Sequence, residues 1–154
     1  MSSGAPNRHL LRLWAVQFLF QRDYNQYDTW EEALELFLSD KKKKMSKKMK
    51  AFFLERIDGV SLNLDEIDER ITRYSENWDI HRLGGVDRNV LRLGFYELVY
   101  CEDVPPVVAV NEAVQLAKEL SSDESGKFVN GILDKMIRTL DRPLRQGVPK
   151  PEVL

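Results

Sequence analysis

The side chains best suited to bind an anion lie near the start of the chain. Arg8, His9 and Arg12 fall within the first turns of an apolar-periodic segment. A guanidinium group presents a planar fork of N–H donors, which pairs well with phosphate oxygens. These residues are therefore candidates for contacts with RNA phosphates and bases. An ordinary solvated basic edge explains the same pattern, and the residue types alone favour that explanation.

A second candidate is the adjacent pair Lys127 and Phe128, which follows a polar stretch at residues 121–123. Single-stranded RNA is commonly held by a cation that pairs with phosphate and an aromatic ring on which a base stacks. Phe128 also fits the apolar stripe of its predicted helix. A solvated lysine beside a core phenylalanine is thus the alternative, and the sequence leaves both open.

Seven lysines crowd residues 41–50. Such a run fits RNA or an acidic partner, but it is more often a solvated loop. We treat it as an auxiliary patch. As a hypothesis, neutralising residues 41–44 weakens RNA binding and reduces its salt dependence.

No catalytic residue, metal site or cofactor is predicted. His9 and His81 are the only histidines and Cys101 the only cysteine, too few for a zinc site of Cys/His type. Glycine-rich phosphate loops and nucleophile elbows are missing from the sequence. We therefore expect a protein that is not an enzyme, with Cys101 as a buried, inert thiol.

Composition indicates one soluble domain in a reducing compartment. The chain has 154 residues, a net charge of −2 and a single cysteine, so a nucleic acid must be held by a local patch. No apolar segment approaches the ~20 residues of a membrane span, and the start of the chain lacks the apolar core of a signal peptide. We expect a cytoplasmic protein without a membrane partner.

Seven helices are predicted to position these residues, from apolar spacings of three and four. Asn7 and Thr29 are expected to begin the first two, the third covers residues 46–60, and the fourth runs from residue 63 or 64 through Trp78. Asp87 is expected to cap the fifth.

The last two helices are predicted over residues 105–134 and beyond. Pro105 and Pro106 suit a first helical turn, and residues 124–128 are expected beside the turn between the two helices. Gly94 interrupts the fifth helix, which predicts a close helix–helix approach. Residues 1–6 are expected to be disordered, residues 7–140 to form the helical domain, and residues 141–154 to be a flexible tail.

Three segments together resemble the NusB family: VAVNEA at 108–113, LAK at 116–118 and KFVNGILD at 127–134. NusB proteins are small all-helical bacterial factors of transcription antitermination and ribosomal RNA synthesis. The resemblance implies an all-α, seven-helix NusB-like bundle, with three N-terminal helices packed on four C-terminal helices.

The resemblance also implies binding of boxA-like single-stranded RNA by the first helix. Arg8 and Arg12 match the arginine-rich arm of the family, while His9 stands where the family usually has more arginine. A family-like motif, AVQFLF at residues 15–20, follows the arm. It adds Gln17 and Phe20 to the implied RNA-binding residues.

The seventh helix supplies the other implied RNA-binding residues. Lys127 and Phe128 match a family pair that lies close to the arginine arm in space. Glu124 stands where relatives often have aspartate in the flanking turn, and Asn130 is expected to cap or brace that turn.

A protein-binding face is implied around Asp87, Arg88 and Arg92. Asp87 matches an acidic residue with which the family binds NusE, a small-subunit ribosomal protein. The protein and NusE together would then act on the transcription elongation complex, helping RNA polymerase read through terminators. A helix cap without a partner explains Asp87 equally well. Family members include monomers and homodimers, so the resemblance leaves a homodimer open.

Two alternatives remain at this point. One is a protein-interaction adapter of the same fold with little RNA binding, which the reduced arginine arm keeps open. The other is an accessory domain of a ribosomal RNA cytosine methyltransferase. That enzyme needs a long cofactor-binding domain downstream, and the sequence stops at Leu154, so we expect this alternative to fail.

Overall fold

The computed structural model describes residues 6–25, 27–76 and 79–148, and it divides the chain into two compact helical units. Unit 1, up to Leu62, contains α1 (Arg8–Tyr24), α2 (Trp30–Leu38) and α3 (Lys47–Leu62), with a short 3-10 helix at Lys42–Lys44. Unit 2 starts at Asn63 and contains α4 (Leu64–Tyr74), a short 3-10 helix at Ile80–Arg82, α5 (Gly85–Tyr100), α6 (Pro106–Leu120) and α7 (Asp123–Ile137). The expected all-α class and the groups of three and four helices are confirmed.

An aromatic cluster holds unit 1 together. The ring centroid of Phe18 on α1 lies 5.0 Å from Trp30, 5.5 Å from Phe37 and 6.5 Å from Phe53, all in edge-to-face geometry. Each such pair adds about 0.5–1.5 kcal/mol beyond the area it buries. The cluster therefore fixes α1 against α2 and α3, and with it the position of the basic residues at the start of α1.

Side-chain caps set where α1 and α2 begin. The Asn7 side chain accepts a hydrogen bond from the Leu10 N–H at 2.8 Å, and the Thr29 hydroxyl accepts one from the Glu32 N–H at 3.1 Å. Each bond satisfies a backbone donor that has no partner within the helix. Both predicted helix starts are confirmed.

Helix α5 is the centre of unit 2, and all of its residues from 88 to 98 are buried. A Cβ atom at Gly94 would lie 3.0 Å from Leu133 Cδ1 on α7 and 3.3 Å from Ala113 Cβ on α6. The glycine thus lets two neighbouring helices approach one point of α5. The predicted close approach is confirmed, and Cys101 at the end of α5 is buried as expected.

The junction between α5 and α6 is completed by a side chain from far along the sequence. Arg142 donates hydrogen bonds to the carbonyl oxygens of Leu98, Glu102 and Val104 at 2.7–3.1 Å. A Cβ at Gly147 would collide with a backbone carbonyl oxygen of the same junction. These contacts fall within the segment for which a flexible tail is predicted; residues 149–154 lie outside the described ranges.

Three details differ from the expectations. The N-cap of α5 is Gly84, so Asp87 lies in the first turn and the predicted cap is wrong. Helix α4 ends at Tyr74 instead of continuing to residue 78, because Glu76 adopts a left-handed φ of 59°; Trp78 itself is outside the described residues.

The third difference concerns the start of α7. The Ser122 hydroxyl accepts a hydrogen bond from the Ser125 N–H at 3.1 Å and caps a helix that begins at Asp123. Residues 124–128, which were expected beside the turn between α6 and α7, therefore lie within the first turns of α7 itself. The expected disorder at residues 1–5 concerns positions outside the described ranges, and Pro6 is buried.

The close packing at Gly94 can be tested against a second helical glycine, Gly131. We expect Gly94→Val to lower the free energy of unfolding by about 2 kcal/mol or more, because added atoms overpack the α5–α6–α7 contact. Gly131→Ala, also inside a helix but with nothing within 4 Å of the added Cβ, should raise it by about 0.5–1 kcal/mol. Chemical denaturation of both variants measures the difference, and equal effects would refute the close-packing explanation.

Candidate nucleic-acid interface

Three guanidinium groups surround the ring of Phe52 on α3. The Cζ atoms of Arg8 and Arg12 lie 5.3 Å and 5.4 Å from the ring centroid, and that of Arg56 lies 3.9 Å from it. Cations at these distances are attracted by the electron-rich face of the ring. Phe52 therefore gathers three arginines of unit 1 into one cluster.

Only part of this cluster is open to a ligand. Arg12 and Arg56 are 4% and 2% exposed, whereas Arg8 is exposed at the start of α1. Arg12 therefore helps to build the cluster, whereas the Arg8 side chain is open to solvent. An RNA-binding role for either residue stays a prediction. Phe52 was not identified from the sequence as part of this cluster. Its spacing could have indicated this, because Phe52 is four positions from both Lys48 and Arg56 and a helix places all three on one face.

The remaining candidates on α1 differ in exposure. His9 and Gln17 are half-buried, and Phe20 is exposed with its ring centroid 4.9 Å from that of Tyr24. Phe20 and Tyr24 thus form an exposed aromatic pair in unit 1. Such a pair offers a face for stacking or for an apolar partner.

In unit 2, α7 exposes Glu124, Lys127, Phe128 and Asn130. The Phe128 side chain is 38% exposed, which contradicts the alternative of a core phenylalanine. The start of α7 is held close to α6, because a Cβ at Gly126 would lie 2.7 Å from Lys118 Cγ. This contact positions the neighbouring lysine–phenylalanine pair.

A cavity of about 440 Å³ opens beside this pair, within unit 2. Phe128 and Ile132 contribute apolar walls together with Tyr74 and Leu83. Two ammonium groups border it, from Lys127 and Lys135, and Lys135 Nζ lies 3.6 Å from a carboxylate oxygen of Glu76. A planar base fits such walls, while the ammonium groups are suited to phosphate.

The residues implied to bind a protein partner have structural contacts within unit 2. Arg92 donates to both carboxylate oxygens of Asp68 at 2.8 Å and to Asn89 Oδ1 at 3.1 Å. Arg88 donates to the Leu83 carbonyl oxygen at 3.0 Å. Both arginines are buried and tie α5 to α4 and to the preceding turn. Half-buried Asp87 lies beside them, and their role in partner binding stays a prediction.

Lys41 differs from the other residues of the lysine run. Its ammonium group donates to the Phe37 carbonyl oxygen at 3.0 Å and to Asp40 Oδ1 at 3.1 Å, and it lies 4.0 Å from the Phe37 ring centroid. The hydrogen bond from Lys41 lowers the pKa of Asp40. Lys41 thus caps the end of α2 and is engaged in unit 1.

Comparisons with known proteins agree with this architecture. A model of the NusB family matches residues 9–138. The transcription antitermination protein NusB of Desulfosudis oleivorans is 37% identical over 145 residues, which cover 91% of this chain and 88% of the relative.

Solved structures give the same result. A NusB structure from T. maritima superposes with a TM-score of 0.79 at 40% identity, covering 88% of this chain and 93% of that one. A structure of antitermination factors NusB and NusE in complex with double-stranded RNA superposes with a TM-score of 0.77 at 28% identity, covering 86% and 97%. No described helix is both long and apolar enough to cross a membrane.

The bidentate pair between Arg92 and Asp68 can be tested by its effect on stability. We expect Arg92→Ala to lower the free energy of unfolding by about 3 kcal/mol, since it leaves a largely buried carboxylate without its cation. Arg73→Ala breaks a solvent-exposed pair with Glu69 on the same helix as Asp68 and should cost less than about 0.5 kcal/mol. Thermal and urea unfolding compare the two; similar losses would contradict a structural role for Arg92.

Proposed function

Because the chain belongs to the NusB family, we propose that it is a transcription antitermination factor. It binds boxA-like single-stranded RNA together with NusE and supports transcription of ribosomal RNA. It catalyses no reaction and acts in the cytoplasm as part of the transcription elongation complex. The resemblance to a solved structure of NusB and NusE in complex with double-stranded RNA supports RNA and NusE as partners.

The observation that carries this proposal is the exposed pair Lys127 and Phe128 at the rim of an apolar cavity. A base that stacks on the Phe128 ring gains about 1–3 kcal/mol. The Lys127 ammonium group then neutralises a neighbouring phosphate. An exposed phenylalanine between a cation and a cavity is unfavourable in water, and an RNA base would cover it.

Unit 1 contributes the second contact, through exposed Arg8 on the Phe52 ring. Stacking on the ring restricts the guanidinium group before RNA arrives, so fewer rotamers are lost on binding. His9, Gln17 and exposed Phe20 continue along α1.

NusE is proposed to bind near Asp87, at the start of α5. Arg88 and Arg92 would act by holding α5 in place, because their side chains are buried and hydrogen-bonded within unit 2. The partner would then complete the RNA-binding surface. An adapter without RNA affinity of its own is the second candidate, and the buried Arg12 favours it, since it leaves one fewer arginine exposed.

A titration of labelled boxA RNA, with and without NusE, separates these two functions. We expect tighter binding with NusE, and affinity that falls as salt rises from about 0.05 to 0.2 M because phosphate contacts release counterions. A double-stranded form of the same RNA serves as the comparison. The antitermination proposal fails if neither RNA binds the protein in the presence of NusE.

Variants of the exposed pair test the site itself. We expect Phe128→Ala to weaken binding about tenfold with an unchanged salt slope, because only stacking is lost. Lys127→Gln should reduce the slope by about 0.7, the value for one phosphate on a single strand. Arg138→Gln, at the C-cap of the same helix, is the charge-matched control. Equal slopes for Phe128→Ala and Lys127→Gln would exclude these separate roles.

A further inference from the structure

Six exposed lysines of unit 1 form a patch that the contacts within this chain do not explain. Lys41, their neighbour, is engaged with Asp40 and with the end of α2. Within the described ranges, none of the other six makes an ion pair with a carboxylate, and all are exposed. The patch, called here the lysine patch, consists of Lys42, Lys43, Lys44, Lys47, Lys48 and Lys50.

The lysine patch is unfavourable for the free protein. Three of its members lie in the first turn of α3, where no acidic residue is present. Positive charge at a helix N-terminus opposes the helix macrodipole, and neighbouring lysines repel one another. Ser46 provides the side-chain cap instead, accepting a hydrogen bond from the Met49 N–H at 3.2 Å. A bound polyanion would relieve both effects.

The lysine patch is continuous with the arginine cluster around Phe52. Lys48 is four residues before Phe52 on α3, so it lies on the same face about 6 Å along the helix. Arg8 packs on that same ring. Helix α3 therefore carries exposed cations from its first turn up to the point where the guanidinium group of α1 is presented.

From this continuity we propose that the lysine patch binds the phosphate backbone of RNA flanking the recognised element. The inference rests on the proposed function, and it adds a second, sequence-independent contact to it. Single-stranded RNA is the partner that fits, because spaced ammonium groups pair with phosphates as point charges and do not distinguish bases. Lys41 is excluded from this role by its bonds within unit 1.

The test uses the full-length protein with NusE and two RNAs. One RNA is the boxA element alone, and the other is extended by about six uridines at each end, within the site sizes of single-strand grooves. The variants are Lys42→Gln/Lys43→Gln/Lys44→Gln and Lys47→Gln/Lys48→Gln/Lys50→Gln. Arg73→Gln/Arg138→Gln/Arg145→Gln has the same change of net charge at exposed positions of unit 2 and serves as the control.

We expect the wild type and the control to bind the extended RNA about tenfold more tightly than the short one at low salt, with a steeper salt slope. Each lysine variant should lose most of that gain, and its slope should fall by about 0.7 per phosphate contact removed. The α3 variant should also melt at a temperature no lower than the wild type, because it removes cations from a helix N-terminus.

If both lysine variants still bind the extended RNA as much more tightly than the short RNA as the wild type does, the inference is overturned while the proposed function stays intact. Weakened NusE binding with unchanged RNA length dependence would assign the lysine patch to a protein partner and overturn it too. Failure of the wild-type pair to bind even the short RNA would instead overturn the proposed function. A lower melting temperature that accounts for the lost affinity would mark the lysines as structural and also count against the inference.

Discussion

The approach of α6 and α7 to α5 at Gly94 is the contact on which unit 2 depends. A single missing side chain allows Ala113 and Leu133 to reach the same point of the central helix. Protein interiors are packed as tightly as organic crystals, so this contact fixes the rotation and height of α7. The exposed face that α7 is left with carries Lys127 and Phe128. The packing of the buried face of α7 thereby determines which side chains its other face exposes.

Both candidate surfaces combine an aromatic ring with cations, but in different ways. In unit 1, Phe52 is enclosed by guanidinium groups and serves to orient Arg8. In unit 2, the ring of Phe128 is exposed, and lysines stand beside it. Arginine stacks well on an aromatic face, whereas lysine is a strongly hydrated point charge. The first arrangement positions a cation, and the second keeps a ring available for a base.

The sequence predicted what local chemistry determines. Apolar periodicity predicted seven helices, and Asn7 and Thr29 the starts of two of them, because each depends on residues near in sequence. The sequence also predicted a close approach at Gly94, although the residues that make it, Ala113 and Leu133, are distant along the chain. It failed where tertiary contacts decide. The burial of Arg12 and Arg92 requires Phe52 and Asp68, which lie 40 and 24 positions away. The sequence placed residues 124–128 only beside the turn between the last two helices, because serine, aspartate and glycine favour caps and turns as well as helix starts.

The hydrogen bonds of Arg142 affect the order in which unit 2 can fold. Pro105 and Pro106 have no backbone N–H, so the segment after α5 offers few donors for nearby carbonyl oxygens. The guanidinium group of Arg142 supplies those donors from a position beyond α7. During synthesis from the amino end, α5 and α6 leave the ribosome well before this residue does. Their junction is finished only when the last contributing residue emerges, which makes the end of unit 2 a late step in co-translational folding.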